Sequence, residues 1–224
     1  MKITEFETIK KFDSHISDSN TNDVRFRELD WLMTHLGDWG FNLEFGVFSG
    51  DTINHMAKLR PDLCFVGFDS FQGLPEDWDT GKKFIPGKRF DRKGLLPQVE
   101  QNVKLIKGWF NDTVPDWTNN QNNRENFSQI SFLNLDADIY SSTKTILESL
   151  NHLIVPGTII RFDELCCWRS EFNEASPKNV KRIFYTTWKE HEWKALNEWL
   201  DKHARIVIPV CRNWFQSATV LVTQ

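Results

Sequence analysis

The chain has 224 residues, with 27 Lys and Arg against 31 Asp and Glu, a formal net charge of −4, and 40% hydrophobic residues. A chain of that size buries roughly 70% of the surface it exposes when unfolded, and this composition excludes a disordered tail. No apolar run approaches the ~18 residues needed to cross a bilayer, and the mild acidity argues against nucleic acid as a bulk electrostatic partner.

The opening Met1–Thr8 has neither an apolar core nor a small-residue cleavage site, so no secretory signal is expected there. Short apolar runs then alternate with helical patterns, as in a parallel sheet flanked by helices. Residues 22–37 place Phe26, Leu29, Leu32, Met33 and Leu36 at helical spacing. Strands are predicted over Asn42–Val47, Leu63–Asp69, Val103–Lys107 and Ile130–Asp136, with helices from Thr52 and over Ser142–Leu153. Pro156-Gly157 reads as a turn before a strand over Thr158–Asp163. A helix over Trp188–His203 and two terminal strands, Arg205–Val210 and Ser217–Thr223, complete the pattern. The terminal pair reads as a hairpin and makes one edge strand antiparallel. The expected fold is therefore α/β, a doubly wound, mostly parallel sheet in a single domain over 1–224.

Gly73–Gly94 is too long for a plain connection and reads as a lid on the substrate side. Residues 165–187 read as a second substrate-side insertion, residues 1–40 as a helical segment folding over the site, and Thr118–Ser128 as a solvated loop. Cys64, Cys166, Cys167 and Cys211 form no CxxC pair and have no His at zinc-finger spacing. Reduced thiols in a cytoplasmic compartment are the default, with Cys64 as a small core residue. The excess of Phe and Trp, 18 and 10 beside 2 Tyr, reads as packing and leaves room for an aromatic homo-oligomer interface.

In open parallel sheets, ligands bind beyond the carboxyl ends of the strands. The first strand ends Glu44-Phe45-Gly46-Val47-Phe48-Ser49-Gly50-Asp51-Thr52. This lacks the Gly-x-Gly-x-x-Gly spacing that admits a pyrophosphate. Glu44 would repel a pyrophosphate, whereas it suits the ammonium and sulfonium of S-adenosylmethionine. Attraction at contact distance is worth roughly 1–4 kcal/mol; a backbone-capping role for Glu44 is the alternative. Asp69 ends the second strand 23 residues after Gly46, near the ~20-residue offset of an acid that accepts ribose hydroxyls. Trp109, after the third strand, lies where an aromatic ring could cover adenine or simply pack. The cofactor set is thus Glu44, Phe45, Gly46, Ser49, Gly50, Asp51 and Thr52, then Asp69 and Ser70, then Gly108 and Trp109, then Asp136.

The fourth and fifth strands end in Asp136, Asp138, Asp163 and Glu164. Gathered carboxylates need neutralising, and a hard divalent cation such as magnesium is one candidate, capping or pairing with Arg or Lys the other. Magnesium there would lower the pKa of a substrate hydroxyl and aim its oxygen at the methyl group.

Five ordered blocks carry a family resemblance: Glu44–Gly50, Gly67–Glu76, Lys107–Pro115, Leu135–Thr143 and Val155–Glu164. Together they resemble the macrocin O-methyltransferase family, class I S-adenosylmethionine-dependent enzymes that methylate sugar hydroxyls in antibiotic biosynthesis. The resemblance implies a seven-stranded doubly wound sheet and magnesium-dependent methyl transfer to a hydroxyl of a small polyhydroxylated molecule. It implies Asp136 as metal ligand and general base, with Asp163 and Glu164 completing the metal site and Asp138 supporting the loop. This chain has Asp163-Glu164 where the antibiotic enzymes carry Asp-Asp. His191 lies in a segment similar to some relatives, as an auxiliary base or a hydrogen-bonded surface residue. A nicotinamide-dependent oxidoreductase and a silent nucleoside-binding module are the competing functions. The first is disfavoured by the glycine spacing and Glu44, the second by the carboxylate cluster.

Overall fold

A computed structural model describes residues 10–11, 21–120, 129–167, 185–212 and 216–224. Most of the 165–187 insertion, most of the 118–128 loop and the first stretch of the 1–40 segment lie outside these residues. The strands are β1 (Lys10–Lys11), β2 (Phe41–Phe45), β3 (Phe65–Asp69), β4 (Trp78–Asp79), β5 (Phe84–Ile85), β6 (Val103–Lys107), β7 (Ile130–Leu135), β8 (Ile154–Phe162), β9 (Val207–Arg212) and β10 (Ala218–Val222). The helices are α1 (Thr21–His35), α2 (Asp51–Leu59), α3 (Phe110–Asn119), α4 (Tyr140–Leu150) and α5 (Glu192–Lys202).

The main sheet runs β1-β9-β10-β8-β7-β2-β3-β6. Strands β6, β3, β2, β7 and β8 pair in parallel, and β10 is reversed against both β8 and β9. The expected doubly wound, mostly parallel sheet with a reversed strand at one flank is present. That strand is inserted between β8 and β9, and Lys10–Lys11 adds an eighth strand beside β9. From β2 the chain moves to β3 and β6 on one side, then returns to β7 and β8 on the other, so strand order reverses between β2 and β7.

All six residues of β7 are buried, as a parallel strand covered on both faces requires. On one face, Leu29, Leu32 and Met33 of α1 and Ile53 and Met56 of α2 form a core with Phe65 and Phe132. On the other, Val114 and Trp117 of α3, Ile146 and Leu150 of α4, and Leu196 and Trp199 of α5 pack on Leu43, Leu133 and Ile160. No helix among the described residues is long and apolar enough to cross a membrane.

Several boundaries differ from the sequence expectation. Helix α3 is absent from that expectation, and Pro115 and the Asn-Asp run disfavour a helix locally. Burial of Val114 and Trp117 overrides that local preference. Strand β8 runs straight through Pro156-Gly157. The Thr158 hydroxyl donates to the Ile130 carbonyl and accepts from the Val155 amide, opposite a register shift in β7. Residues 188–203 split into a 3₁₀ turn, Trp188–Glu190, and α5. Cys64 is exposed, not a core residue, because β3 begins only at Phe65; Cys166, Cys167 and Cys211 are buried.

Candidate functional site

Four backbone hydrogen bonds stitch together the carboxyl ends of the five parallel strands. Gly108 N donates to Asp69 O, Gly46 N to Phe68 O, Asp136 N to Phe45 O and Asp163 N to Leu135 O, all at 2.8–3.0 Å. They hold the turn residues after each strand in one row across the point where strand order reverses, where an open sheet binds ligands. A cavity of about 740 Å³ opens there.

Gly46 makes the tightest of these contacts. Its φ is +93°, and a Cβ at this position would lie 1.8 Å from the Asp136 carbonyl oxygen. Only glycine lets β2 and β7 approach this closely. Gly50, also left-handed, caps α2 at its N-terminus. Around the cavity, Phe48, Phe71 and Asp138 also have positive φ, a concentration of strained backbone typical of functional sites.

Of the sequence-derived cofactor set, Gly46, Ser49, Asp51, Thr52, Asp69, Ser70, Gly108, Trp109 and Asp136 line the cavity. Glu44, Phe45 and Gly50 do not. Glu44 is fully buried and accepts the Thr52 hydroxyl, so its carboxylate stands one hydrogen bond from the cavity, through Thr52. Phe45 belongs to the core, stacked on Phe68 at 4.7 Å. The Asp51 carboxylate accepts from Ser49 Oγ at 2.9 Å. Asp69 accepts the Phe48 amide on Oδ2 at 2.7 Å and the Phe71 amide on Oδ1 at 2.6 Å. Burial pushes its pKa up, while those amides and Arg92 pull it down. Ser70 Oγ donates to Gly73 O and accepts from Gln72 N, closing the turn into the lid. Trp109 is half-buried at the start of α3 and presents itself to the cavity.

The acidic centre differs from the set implied by the resemblance. Asp136, Asp138 and Glu164 each place a carboxylate oxygen within 4.8 Å of the others, and all three line the cavity. Asp163 is not in this trio. Arg161 Nη2 donates to its Oδ1 at 2.6 Å, and Arg161 also binds Glu28 and Asn134 in the protein interior. Asp138 enters because the left-handed turn at φ +60° brings it beside Asp136. Glu164 accepts from Gln216 Nε2 at 3.0 Å on Oε1, while its buried Oε2 has no hydrogen-bond partner among the described residues. Burial, then Asp163, Asp136 and Asp138, hold its pKa well above the carboxylate range. A trio of hard oxygen donors with a buried, unpartnered oxygen fits a divalent cation.

Glu192, which sequence reasoning missed, is fully buried at the start of α5. Its Oε2 accepts the Glu164 amide at 2.9 Å. Burial, with Asp163, Asp138 and Asp136 nearby, raises its pKa despite that hydrogen bond. Its only sequence signal was its place beside His191. His191 itself does not line the cavity. Its Nε2 donates to the Asp79 carbonyl at 3.0 Å, and burial depresses its pKa. It ties residues 185–191 to the β4–β5 hairpin, as do Thr187 Oγ1 to Asp79 O at 2.6 Å and Thr186 N to Thr80 O at 3.0 Å. The segment read as a lid is thus a folded hairpin covering the cavity, with Trp78 packed edge-on against Tyr185.

Two solved structures share this architecture. CalS11, a calicheamicin methyltransferase, superposes with a TM-score of 0.56 at 21% identity, covering 89% of this chain and 78% of its own. MycE, a methyltransferase from the mycinamycin biosynthetic pathway solved with Mg, SAH and mycinamycin VI, superposes with a TM-score of 0.50 at 13% identity, covering 87% of this chain and 48% of its own. These likenesses establish the fold. In sequence, the 8-demethyl-8-(2,3-dimethoxy-α-L-rhamnosyl)-tetracenomycin-C 4′-O-methyltransferase of Streptomyces olivaceus is 28% identical over 114 residues. That match covers 43% of this chain and 40% of the relative's length. The model of one family, described as macrocin-O-methyltransferase (TylF), matches residues 86–198, half of the 224. That segment holds β6, α3, β7, α4, β8, the acidic trio and most of α5, and the chain belongs to the macrocin-O-methyltransferase family.

Proposed function

We propose that the protein is an S-adenosylmethionine-dependent O-methyltransferase acting on a hydroxyl of a small polyhydroxylated molecule, a sugar or glycosylated natural product. The observation that carries this is the trio of Asp136, Asp138 and Glu164 at the end of a cavity whose other strand-end residues are Gly46, Asp69 and Trp109. Family membership supports the reaction class. The Streptomyces olivaceus relative, a 4′-O-methyltransferase of a rhamnosyl compound, supports a sugar hydroxyl as acceptor.

S-Adenosylmethionine supplies a methyl group on a positively charged sulfur. Residues Gly46–Thr52 and Asp69–Ser70 would hold it, with Trp109 beside the base. Asp69 retains acceptor capacity for ribose hydroxyls beyond the two amides it binds, since each carboxylate oxygen carries two lone pairs. Glu44 adds negative potential behind Thr52, favouring a cationic donor over a pyrophosphate. Magnesium, held by Asp136, Asp138 and Glu164, would supply Lewis acidity toward the acceptor oxygen; MycE was solved with Mg and SAH. Asp136 takes the proton of the acceptor hydroxyl. The β4–β5 hairpin excludes water, and His191 holds that hairpin in place.

Calorimetry tests the assignment. S-Adenosylhomocysteine should bind with saturable heat and nicotinamide dinucleotides should not; heat from the dinucleotide alone would end the methyltransferase reading.

A further inference from the structure

The chain leaves β8 at Phe162 and enters the acidic centre at once, and the amides of Asp163, Glu164 and Cys166 go to three different parts of the fold. Asp163 N donates to Leu135 O at 2.8 Å and Cys166 N to Gln216 O at 3.0 Å, both backbone acceptors. Glu164 N donates to a side chain, Oε2 of Glu192, at 2.9 Å across 28 residues of sequence.

Glu192 is the first residue of α5 and is fully buried. The positive end of a helix favours an acid, but an acid in solvent serves that purpose, whereas a buried one carries a desolvation cost that something else must offset. Packing does not call for it, since Ala195, Leu196 and Trp199 supply the buried apolar face of α5. Its other oxygen, Oε1, has no hydrogen-bond partner among the described residues. The contact Glu192 does make is with Glu164, the residue whose backbone most needs fixing. Arg161 holds Asp163, so Glu164 brings the carboxylate from the end of β8 to Asp136 and Asp138. Gln216 restrains its Oε1, and the position of Oε2 then depends on the main chain, because any turn of the backbone is magnified along a long side chain. The residue before Glu192, His191, is bonded to Asp79 O of the lid. Consecutive residues at the start of α5 thus hold the lid and the end of β8.

We propose that Glu192 is a positioning residue for the acidic centre: by accepting the Glu164 amide it fixes the main chain from which Glu164 places Oε2 beside Asp136 and Asp138. Its role is geometric, carried by an acceptor oxygen and not by charge. This rests on the metal-binding reading of the trio given above, and the test keeps the two apart. Three full-length variants are compared with the parent. Glu192→Gln keeps an acceptor oxygen at the same reach, Glu192→Met has the same length without one, and Glu190→Gln removes an exposed acid two residues earlier. In Mn²⁺ titrations followed by electron paramagnetic resonance, Glu192→Met should bind roughly tenfold or more weakly, the loss typical when the group holding a metal ligand is removed. Glu192→Gln and Glu190→Gln should stay within about threefold, the first because its amide oxygen still accepts, the second because an exposed charge is screened. In the metal-free chain, amide hydrogen exchange by NMR should be roughly tenfold faster at Glu164 in Glu192→Met than in Glu192→Gln, since one has lost the hydrogen bond and the other keeps it. All variants should bind S-adenosylhomocysteine like the parent, which also reports that they fold. Mn²⁺ affinity of Glu192→Met within about threefold of the parent would overturn the proposal. So would a Glu192→Gln variant that loses as much as Glu192→Met, because charge would then carry the effect. If Glu192→Met does not fold, Glu192→Gln decides alone: retained Mn²⁺ affinity supports the acceptor role and a loss overturns it. A parent chain without affinity for Mn²⁺ would strike the metal reading of the trio, and the exchange rates, measured without metal, would still decide this one, equal rates in the two Glu192 variants overturning it.

Discussion

Arg161, near the end of β8, and Asp163, one residue beyond that strand, are joined by a 2.6 Å hydrogen bond from Nη2 to Oδ1. The guanidinium is fully buried, and Glu28 of α1 meets it at 3.1 Å through Nε. One cation thus holds two acids, fastening α1 to the sheet and drawing Asp163 out of the acidic trio. Arg161→Met should destabilise the fold by about 3–5 kcal/mol, because it strands two carboxylates in the interior. Urea denaturation measures this, and a loss below about 1 kcal/mol would show that the pair is not needed to compensate those charges.

The same geometry ranks the metal ligands. Titration with Mn²⁺ by electron paramagnetic resonance should show Asp138→Asn and Glu164→Gln weakening binding by about tenfold or more, since each removes a charged oxygen donor. Asp163→Asn should change it less than about threefold, because the amide oxygen still accepts from Arg161. The reverse ranking would restore the set Asp136, Asp163 and Glu164.

Asp136→Asn should lower turnover by about 10²–10⁴-fold, the range for loss of a positioned general base. Affinity for S-adenosylhomocysteine should remain within about threefold. Release of that product in the presence of acceptor measures the first and calorimetry the second; unchanged turnover would remove Asp136 from the proton-accepting role.

Glu164 and Glu192 set an unusual pH dependence. Burial raises both above the ordinary 4.5, so the folded chain binds these protons more tightly than the unfolded chain. Their stabilising contribution is complete below 4.5 and is lost as pH rises through the raised values. In EDTA, melting temperature should fall from about pH 5 to about pH 8, less steeply in Glu192→Gln, as scanning calorimetry would show. Magnesium should raise it more at the alkaline end, where the carboxylates are ionised. His191 acts with the opposite sign: its depressed pKa gives stability present above the ordinary 6.5 and lost below it.

Gly46→Ala should destabilise the chain by at least about 2 kcal/mol and abolish S-adenosylhomocysteine binding, by urea denaturation and calorimetry respectively. The added methyl would meet the Asp136 carbonyl oxygen at 1.8 Å. That atom is backbone and can withdraw only if β2 and β7 part. An alanine variant of parental stability would contradict the close approach.

The fold was legible because its signals are local. Strand β7 announces itself as an apolar run buried on both faces, Gly46, Gly108 and Asp136 each follow a strand in the way the turn requires, and Asp69 ends one. Helix α3 was not legible, since Pro115 and its polar neighbours argue against a helix that only Val114 and Trp117, packed on other elements, secure. Cys64 deceived for a related reason: an apolar neighbourhood in sequence is not a buried position in space.

From sequence alone came the class of sheet, the row of strand-end turns and the presence of an acidic cluster among them. The tertiary structure decided which acids share the cavity. Asp138 enters through one left-handed residue, and Asp163 leaves because Arg161 is anchored by Glu28, 133 residues away. It also placed Glu44 behind Thr52 and made His191 a strut for the lid. Turns and hydrophobic periods follow from neighbouring residues, whereas the direction of a charged side chain follows from whichever partner the fold brings near it, and that partner lies elsewhere along the chain.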